Sequence, residues 1–227
     1  AIPVLDEIDH LVGIVTIDDV IDVIREETTE DMLKMTGTGD VDIASQSVFK
    51  STRARLPWLF ASWVGGLAAG QTIGLFQGQL EKFAVLAVFI PIISGMGGNV
   101  GLQSSTIVVR GLATGEVNLK WIWKILRREF AIGALLGSLY GLLLGIFAKL
   151  RYWKIAAATP NLIWFPVVAA LAIFLNMTLA ATIGTLMPML FKRLRIDPAV
   201  ATSPFVTASL DVCGNLLYFI IARALLF

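Results

Sequence analysis

Histidine and cysteine occur once each in this chain of 227 residues, at His10 and Cys213. One cysteine excludes an internal disulfide and leaves no C-x-x-C pair. With His10 alone in a polar turn, there is no ligand set for zinc or for redox chemistry. Charge is scarce as well, at 15% of residues, and unevenly spread. Twelve of the seventeen acids lie before residue 50, from Asp6 to Asp42, against only Arg25 and Lys34. The remainder holds five acids (Glu81, Glu116, Glu129, Asp197 and Asp211) and sixteen bases. No secretory leader pattern is present. The start at Ala1, without methionine, leads to the expectation of a fragment of a longer chain.

What is abundant is apolar surface: 56% hydrophobic residues and a mean hydropathy of +0.78, too apolar for an ordinary soluble domain of this length. An acidic soluble segment therefore precedes a basic-flanked membrane region. Residues 1–27 read as a strand, a polar turn, a β-branched run from Leu11 to Thr16, and a helix. Asp18 can cap that helix, and Val20, Val23 and Ile24 recur at helical spacing. So small a unit cannot bury a core alone and calls for a partner half. Residues 26–47 are polar and acidic, a helix end and linker; an amphipathic stretch then leads into the membrane.

Five apolar runs, roughly 57–76, 83–109, 130–149, 162–190 and 200–224, are long enough for a hydrocarbon core of ~30 Å, which takes about 20 helical residues. Lys82, Lys149, Arg151 and Lys154 fall on one side. Eleven bases, from Lys50 to Arg195, fall on the other. The positive-inside rule then places the N-terminus in the cytosol and the C-terminus outside. Tryptophans fall mostly near span ends, as interfacial anchors do. The expected fold is an all-α membrane protein of five transmembrane helices, preceded by a cytosolic helix and a partial α/β unit.

Of the five later acids, Glu81, Glu116 and Asp197 fall in expected loops and Glu129 sits beside Arg127 and Arg128 at a helix start. Only Asp211 lies deep in a span. A carboxylate there costs about 2.5–3.5 kcal/mol on insertion scales and marks an ion path, or else a buried acid bonded to a neighbouring helix. Ser203, Thr207 and Asp211 follow at i, i+4 and i+8, so they stack on one face, which Gly214 and Asn215 continue. The same spacing also suits close helix packing. In the second span, Pro91, Gly95, Gly97, Gly98 and Gly101 would weaken a continuous helix. Carbonyls freed there, with Asn99 and Gln103, would solvate a cation; tight packing by small residues is the alternative. No strand precedes these glycines and no Lys or Arg lies among them, so they are not a phosphate loop, and no nucleic-acid partner is expected. Hard oxygen ligands suit magnesium or calcium. One carboxylate underbalances a divalent ion, whereas two copies of Asp211 on a twofold axis would match it.

The segments "RLPWL", "LEKFAVLAVFIPIISGMGGNVGLQSSTIVVRGLATGEV" and "DPAVATSPFVTASLDVCGNLLYFIIA" resemble, in that order, the membrane domain of the MgtE family of magnesium channels. "IPVLDEIDHLVGIVTIDDVIDVI" resembles the closing half of a CBS domain. The resemblance implies domains at 1–27 (half CBS domain), 28–54 (connecting "plug" helix and linker) and 55–227 (pore domain). It also implies a homodimer in the plasma membrane with a Mg2+-conducting pore on the twofold axis. Asp211, with Thr207 and Ser203, would then hold the ion. Asn99, Gly97, Gly98, Gln103 and Asn215 would line its path. Cytosolic Mg2+ would close the pore through Glu26, Glu27, Glu30, Asp31, Asp18 and Asp19. By the same resemblance Thr16 and Asp19 are the T-x-x-D of a nucleotide-binding CBS domain.

Two other classes compete with a passive channel. A carrier would exchange a proton or sodium ion at Asp211, but five spans show no internal inverted repeat. An intramembrane aspartyl protease needs two carboxylates in one site, and each chain has one deep aspartate.

Overall fold

The computed structural model describes residues 1–36, 47–117, 121–201 and 204–227. The chain forms two compact units, divided between Arg55 and Leu56.

In the first unit, strands β1 (Ile2–Leu5) and β2 (Leu11–Val15) pair antiparallel, Ile2 opposite Val15, with a register irregularity at Val4/Leu5. Asp6 shapes the turn between them: its carboxylate accepts from the backbone N–H groups of Ile8 (3.0 Å) and His10 (2.8 Å). His10 thus belongs to a turn, as expected. Helix α1 (Ile17–Thr36) starts two residues earlier than the Asp18 cap would place it, because Thr16 is the cap. The Thr16 hydroxyl accepts from the Asp19 N–H (3.3 Å), and the Asp19 carboxylate accepts from the Thr16 N–H and hydroxyl (2.7 Å each). This is a capping box with Asp in place of Glu. Thr16 and Asp19, nucleotide candidates by resemblance, here hold each other. Helix α1 also runs unbroken through residues 27 and 28. Ile2, Leu11, Ile14, Ile17 and Ile24 stay exposed, so the unit leaves its apolar faces uncovered.

The Thr16 N–H, and then its hydroxyl, hold the Asp19 carboxyl below its ordinary 3.8. A depressed folded pKa stabilises the cap above the ordinary value and loses that contribution as pH falls through the lowered one. Acidification below pH 3.8 should therefore fray the first turn of α1 before its middle, read as amide exchange at Asp19 and Val20 by NMR. Equal exchange along α1 in acid would contradict the cap.

The second unit begins inside α2 (Val48–Gly74) and continues with α3 (Gln77–Lys82), α4 (Val85–Ala113), α5 (Ile122–Ala158), α6 (Phe165–Arg193) and α7 (Pro204–Leu226). Among the described residues four helical stretches are long and apolar enough to cross a membrane: Val85–Ala113, Ile122–Ile155, Asn161–Arg193 and Pro204–Leu226. The first expected span, 57–76, falls in α2, whose apolar residues are diluted by tryptophans, Gln71 and four glycines; it is not among the four. The third expected span was too short at both ends. α5 has 37 residues, about 55 Å at 1.5 Å per residue, longer than a hydrocarbon core.

α6 is the centre of this unit and packs against α4, α5 and α7. Its Val168, Ala169, Ala172, Ile173, Met177 and Ala180 are buried. Small residues let backbones approach where lipid supplies no hydrophobic drive between helices. On α5, Gly133, Gly137, Gly141 and Gly145 recur every fourth residue. A Cβ on them would stand 2.9, 2.7, 2.6 and 3.1 Å from the carbonyl oxygens of Met177, Phe174, Ala170 and Pro166. α5 therefore lies backbone to backbone on α6. At one end Phe89 meets Phe165 edge to face (centroids 4.8 Å), and the buried Tyr218 hydroxyl donates to the Leu86 carbonyl (3.0 Å), joining α7 to α4.

Candidate functional site in α4 and α7

α7 carries the deep aspartate because the rest of the helix is apolar enough to bear it: Val206, Leu210, Tyr218, Phe219 and Ala222 are buried on its inner side. Asp211 itself is half-buried, as is Thr207 one turn before it. Among the described residues Asp211 forms no ion pair, and no base from another helix neutralises it. The Thr207 hydroxyl lies 3.5 Å from the Pro204 carbonyl. Ser203, the remaining member of the expected triad, lies outside the described residues.

α4 runs antiparallel beside α7, and the register is fixed at several points. The Ser94 hydroxyl donates to Asn215 Oδ1 (3.2 Å), a Cβ on Gly98 would stand 4.0 Å from Thr207 Cγ2, and Gly101 abuts Leu210 and Val206. Asp211 lies on α7 between the Asn215 and Thr207 contacts, level with residues 94–98 of α4. On α4, Gly95, Asn99 and Gln103 are exposed at i, i+4 and i+8, and Thr106 and Arg110 continue that side. A helix this apolar with amides and a hydroxyl on an open face needs water or another protein surface there, since hydrocarbon cannot satisfy them.

Two expectations about α4 change. The helix is continuous from Val85 to Ala113 despite Pro91 and its glycines, so no interruption frees carbonyls for an ion. Neighbouring helices support it instead. The space a Cβ on Gly97 would need is filled by the Asn176 side chain, and Gly101 abuts Gly184 of α6. Gly97 and Asn215, expected on the ion path, are buried inside the bundle, one layer behind the face that carries Asn99 and Gln103. Gly98 is half-buried, with room before it.

Sequence reasoning passed over Asn176. It is fully buried on α6; its amide donates to the Ile93 carbonyl (2.6 Å), and its side chain also occupies the space beside Gly214. Asn176 thus wedges behind both helices of the candidate site. A lone asparagine in the run "AIFLNMTLAA" was the available signal. Glu129 was misplaced: it is 7% exposed and accepts a hydrogen bond from Ser104 of α4 (2.8 Å). Successive residues turn about 100° around a helix, so Arg127 and Arg128 stay exposed while Glu129 is buried.

The acids proposed for regulation lie on α1. Asp18, Asp22, Glu26 and Glu30 follow at intervals of four, a column of like charges, with Glu27 and Asp31 next to its end. Lys34 pairs with Glu30 at 2.6 Å. Like charges at this spacing repel by a few tenths of a kcal/mol per pair. Among the described residues no three carboxylate, imidazole or thiol groups converge to hold a metal ion. Among the described residues, Asp211 is thus a single carboxylate beside neutral oxygens.

Residues 90–221 match the family profile MgtE, described as a divalent cation transporter. The magnesium transporter MgtE of Bacillus subtilis is 37% identical over 224 residues, 99% of this chain and 48% of that protein. Those of Thermus thermophilus (36%, covering 99% and 48%) and Enterococcus faecalis (35%, covering 98% and 47%) are similarly related. The chain spans about half the length of these relatives. The profile covers both α7 with its aspartate and the exposed polar face of α4, and more than half of the chain: this multi-pass membrane protein belongs to the MgtE family of divalent cation transporters.

Proposed function

We propose that the chain forms the conducting part of a Mg2+ channel that passes the ion into the cytosol. The observation that carries this reading is Asp211: a half-buried carboxylate in an apolar helix, without a basic partner among the described residues, beside the open face of α4 that presents amides. Mg2+ dehydrates reluctantly and keeps several waters, so one carboxylate per chain with Thr207, Ser203, Asn99 and Gln103 around it suits a hydrated ion. Two chains about a twofold axis would bring two Asp211 side chains to the ion and balance its charge, which makes a homodimer the working assembly. α2 completes a fifth span once its glycine-rich side is covered by protein, with the N-terminus cytosolic and the C-terminus outside the plasma membrane. Gly97 and Asn215 then act from behind, by setting how closely α4 and α7 approach, while Gly98 stays beside Thr207 on the ion path. Uptake of Mg2+ into liposomes containing the purified chain tests this; no uptake above empty liposomes would overturn it. The second reading, a carrier coupled to protons or sodium, rests on the same aspartate and requires the uptake to follow an imposed ion gradient.

In this reading residues 1–27 are half of a CBS domain, whose uncovered apolar faces suit a second half, and 28–54 connect it to the pore. The column from Asp18 to Glu30, with Glu27 and Asp31, is the sensor. Cytosolic Mg2+ screens the repulsion, or bridges neighbouring turns, and favours a compact closed arrangement. Changing Glu26, Glu27, Glu30 and Asp31 to Gln or Asn should shift half-inhibition to higher cytosolic Mg2+, read as open probability in excised patches. Identical inhibition curves would place the brake elsewhere.

A further inference from the structure

Where α4 ends and α5 begins, the bundle leaves a half-open cavity of about 540 Å3. Lys124, Arg128 and Glu129 of α5 line it with Glu116 from the turn after α4, against apolar walls from Ile107 and Ile125. The Lys124 ammonium also stands 5.1 Å from the Trp121 ring. Both charge signs thus face one space, and among the described residues none of the four charged groups is ion-paired. Glu129 is the most telling of them. It is 7% exposed and its described partner is the Ser104 hydroxyl, which undercompensates a buried carboxylate. The exposed Trp121 and Trp123 mark this level as the boundary between hydrocarbon and water. Arg110, Arg127 and Lys192 stand at the same end of the bundle, and Lys192 reaches across to the Leu112 carbonyl (3.2 Å).

We propose that this cavity binds the headgroup of phosphatidylethanolamine, a phospholipid that carries a phosphate and a primary ammonium together. Its phosphate lies against Lys124 and Arg128, and its ammonium donates to Glu129, with Glu116 as a second acceptor at the mouth. The acyl chains run along Ile107 and Ile125 toward the hydrocarbon. A purely anionic headgroup would meet two carboxylates without a cation to offer them. A choline headgroup has the positive charge but no N–H to donate. The inference rests on α4 and α5 spanning a membrane, and not on which ion the protein conducts.

The test is lipid titration of the purified full chain in detergent, followed by native mass spectrometry, with phosphatidylethanolamine, phosphatidylcholine and phosphatidylglycerol of identical acyl chains. The ethanolamine lipid should bind about tenfold more tightly than the other two, the scale of one charge-assisted hydrogen bond. Glu129→Gln keeps an acceptor for Ser104 and removes the charge, so it should bring the ethanolamine lipid down to the choline level. Replacing Lys124 and Arg128 together with Ala should weaken both of those lipids by a common factor. Equal binding of the ethanolamine and choline lipids to the unmodified chain would overturn the proposal, and so would tighter binding of the glycerol lipid. That comparison needs no variant and decides even if Glu129→Gln does not fold. A Glu129→Gln protein that folds and keeps the preference would overturn it equally.

Discussion

Asp211→Asn should leave a folded protein whose Mg2+ flux falls roughly a hundredfold, the factor that about 2.8 kcal/mol of lost attraction for the ion produces. Asparagine keeps the volume and removes the charge. Asp211 has no ion pair among the described residues, so the fold loses no partner. A neutral amide is also easier to place in a membrane helix than a carboxylate, so the variant's thermal midpoint should be unchanged or higher. A structural aspartate would behave in the opposite way, with melting lowered and flux falling only as far as folded protein falls. Influx into liposomes, normalised to folded protein, separates the two. Near-normal flux in Asp211→Asn would remove this residue from the ion path.

The second large effect lies in the fold. Gly137 and Gly141 face α6 backbone, and a Cβ would stand 2.7 and 2.6 Å from the Phe174 and Ala170 carbonyl oxygens. Carbonyls held in a helix cannot turn away as a side chain can, so relief requires α5 to move off α6 along its length. Gly137→Ala should cost about 1–3 kcal/mol as overpacking does, and the Gly137→Ala, Gly141→Ala double variant more. At Gly66 and Gly95 a Cβ would meet nothing within 4 Å, so Ala there should be neutral to slightly stabilising. Thermal melting in detergent for the four variants checks the contrast. A Gly137→Ala protein as stable as Gly66→Ala would show that α5 and α6 are not in backbone contact.

The spans most legible in the sequence were those whose signal is a sum over many residues: the apolar runs of α4, α6 and α7 announce themselves wherever their side chains point. Asp211 was legible for a related reason, as the lone acid in such a run. What sequence could not supply was direction. Gly97 and Gly98 are adjacent, yet one is packed against Asn176 and the other looks toward Thr207 across open space. Arg128 and Glu129 are adjacent too, and only the glutamate is buried. The glycines of α4 were ambiguous because a residue without a side chain either weakens a helix or lets another come close, and the presence of α6 decides which. The four-residue glycine repeat of α5 was readable in "GALLGSLYGLLLG" but passed unnoticed beside the more polar α4 motif. The Thr16–Asp19 pair shows the same limit in the soluble unit: its spacing fits a ligand site and a capping box equally, and the hydrogen bonds here are those of the cap.

That Asp211 guards a continuous path for Mg2+ is tested most directly by single-channel recording of the purified chain in planar bilayers, with Mg2+ as the sole permeant cation. Discrete unitary currents should appear, and they should vanish in Asp211→Asn. Mg2+ uptake without unitary current, moving only with an imposed proton or sodium gradient, or unitary currents unchanged in Asp211→Asn, would contradict it.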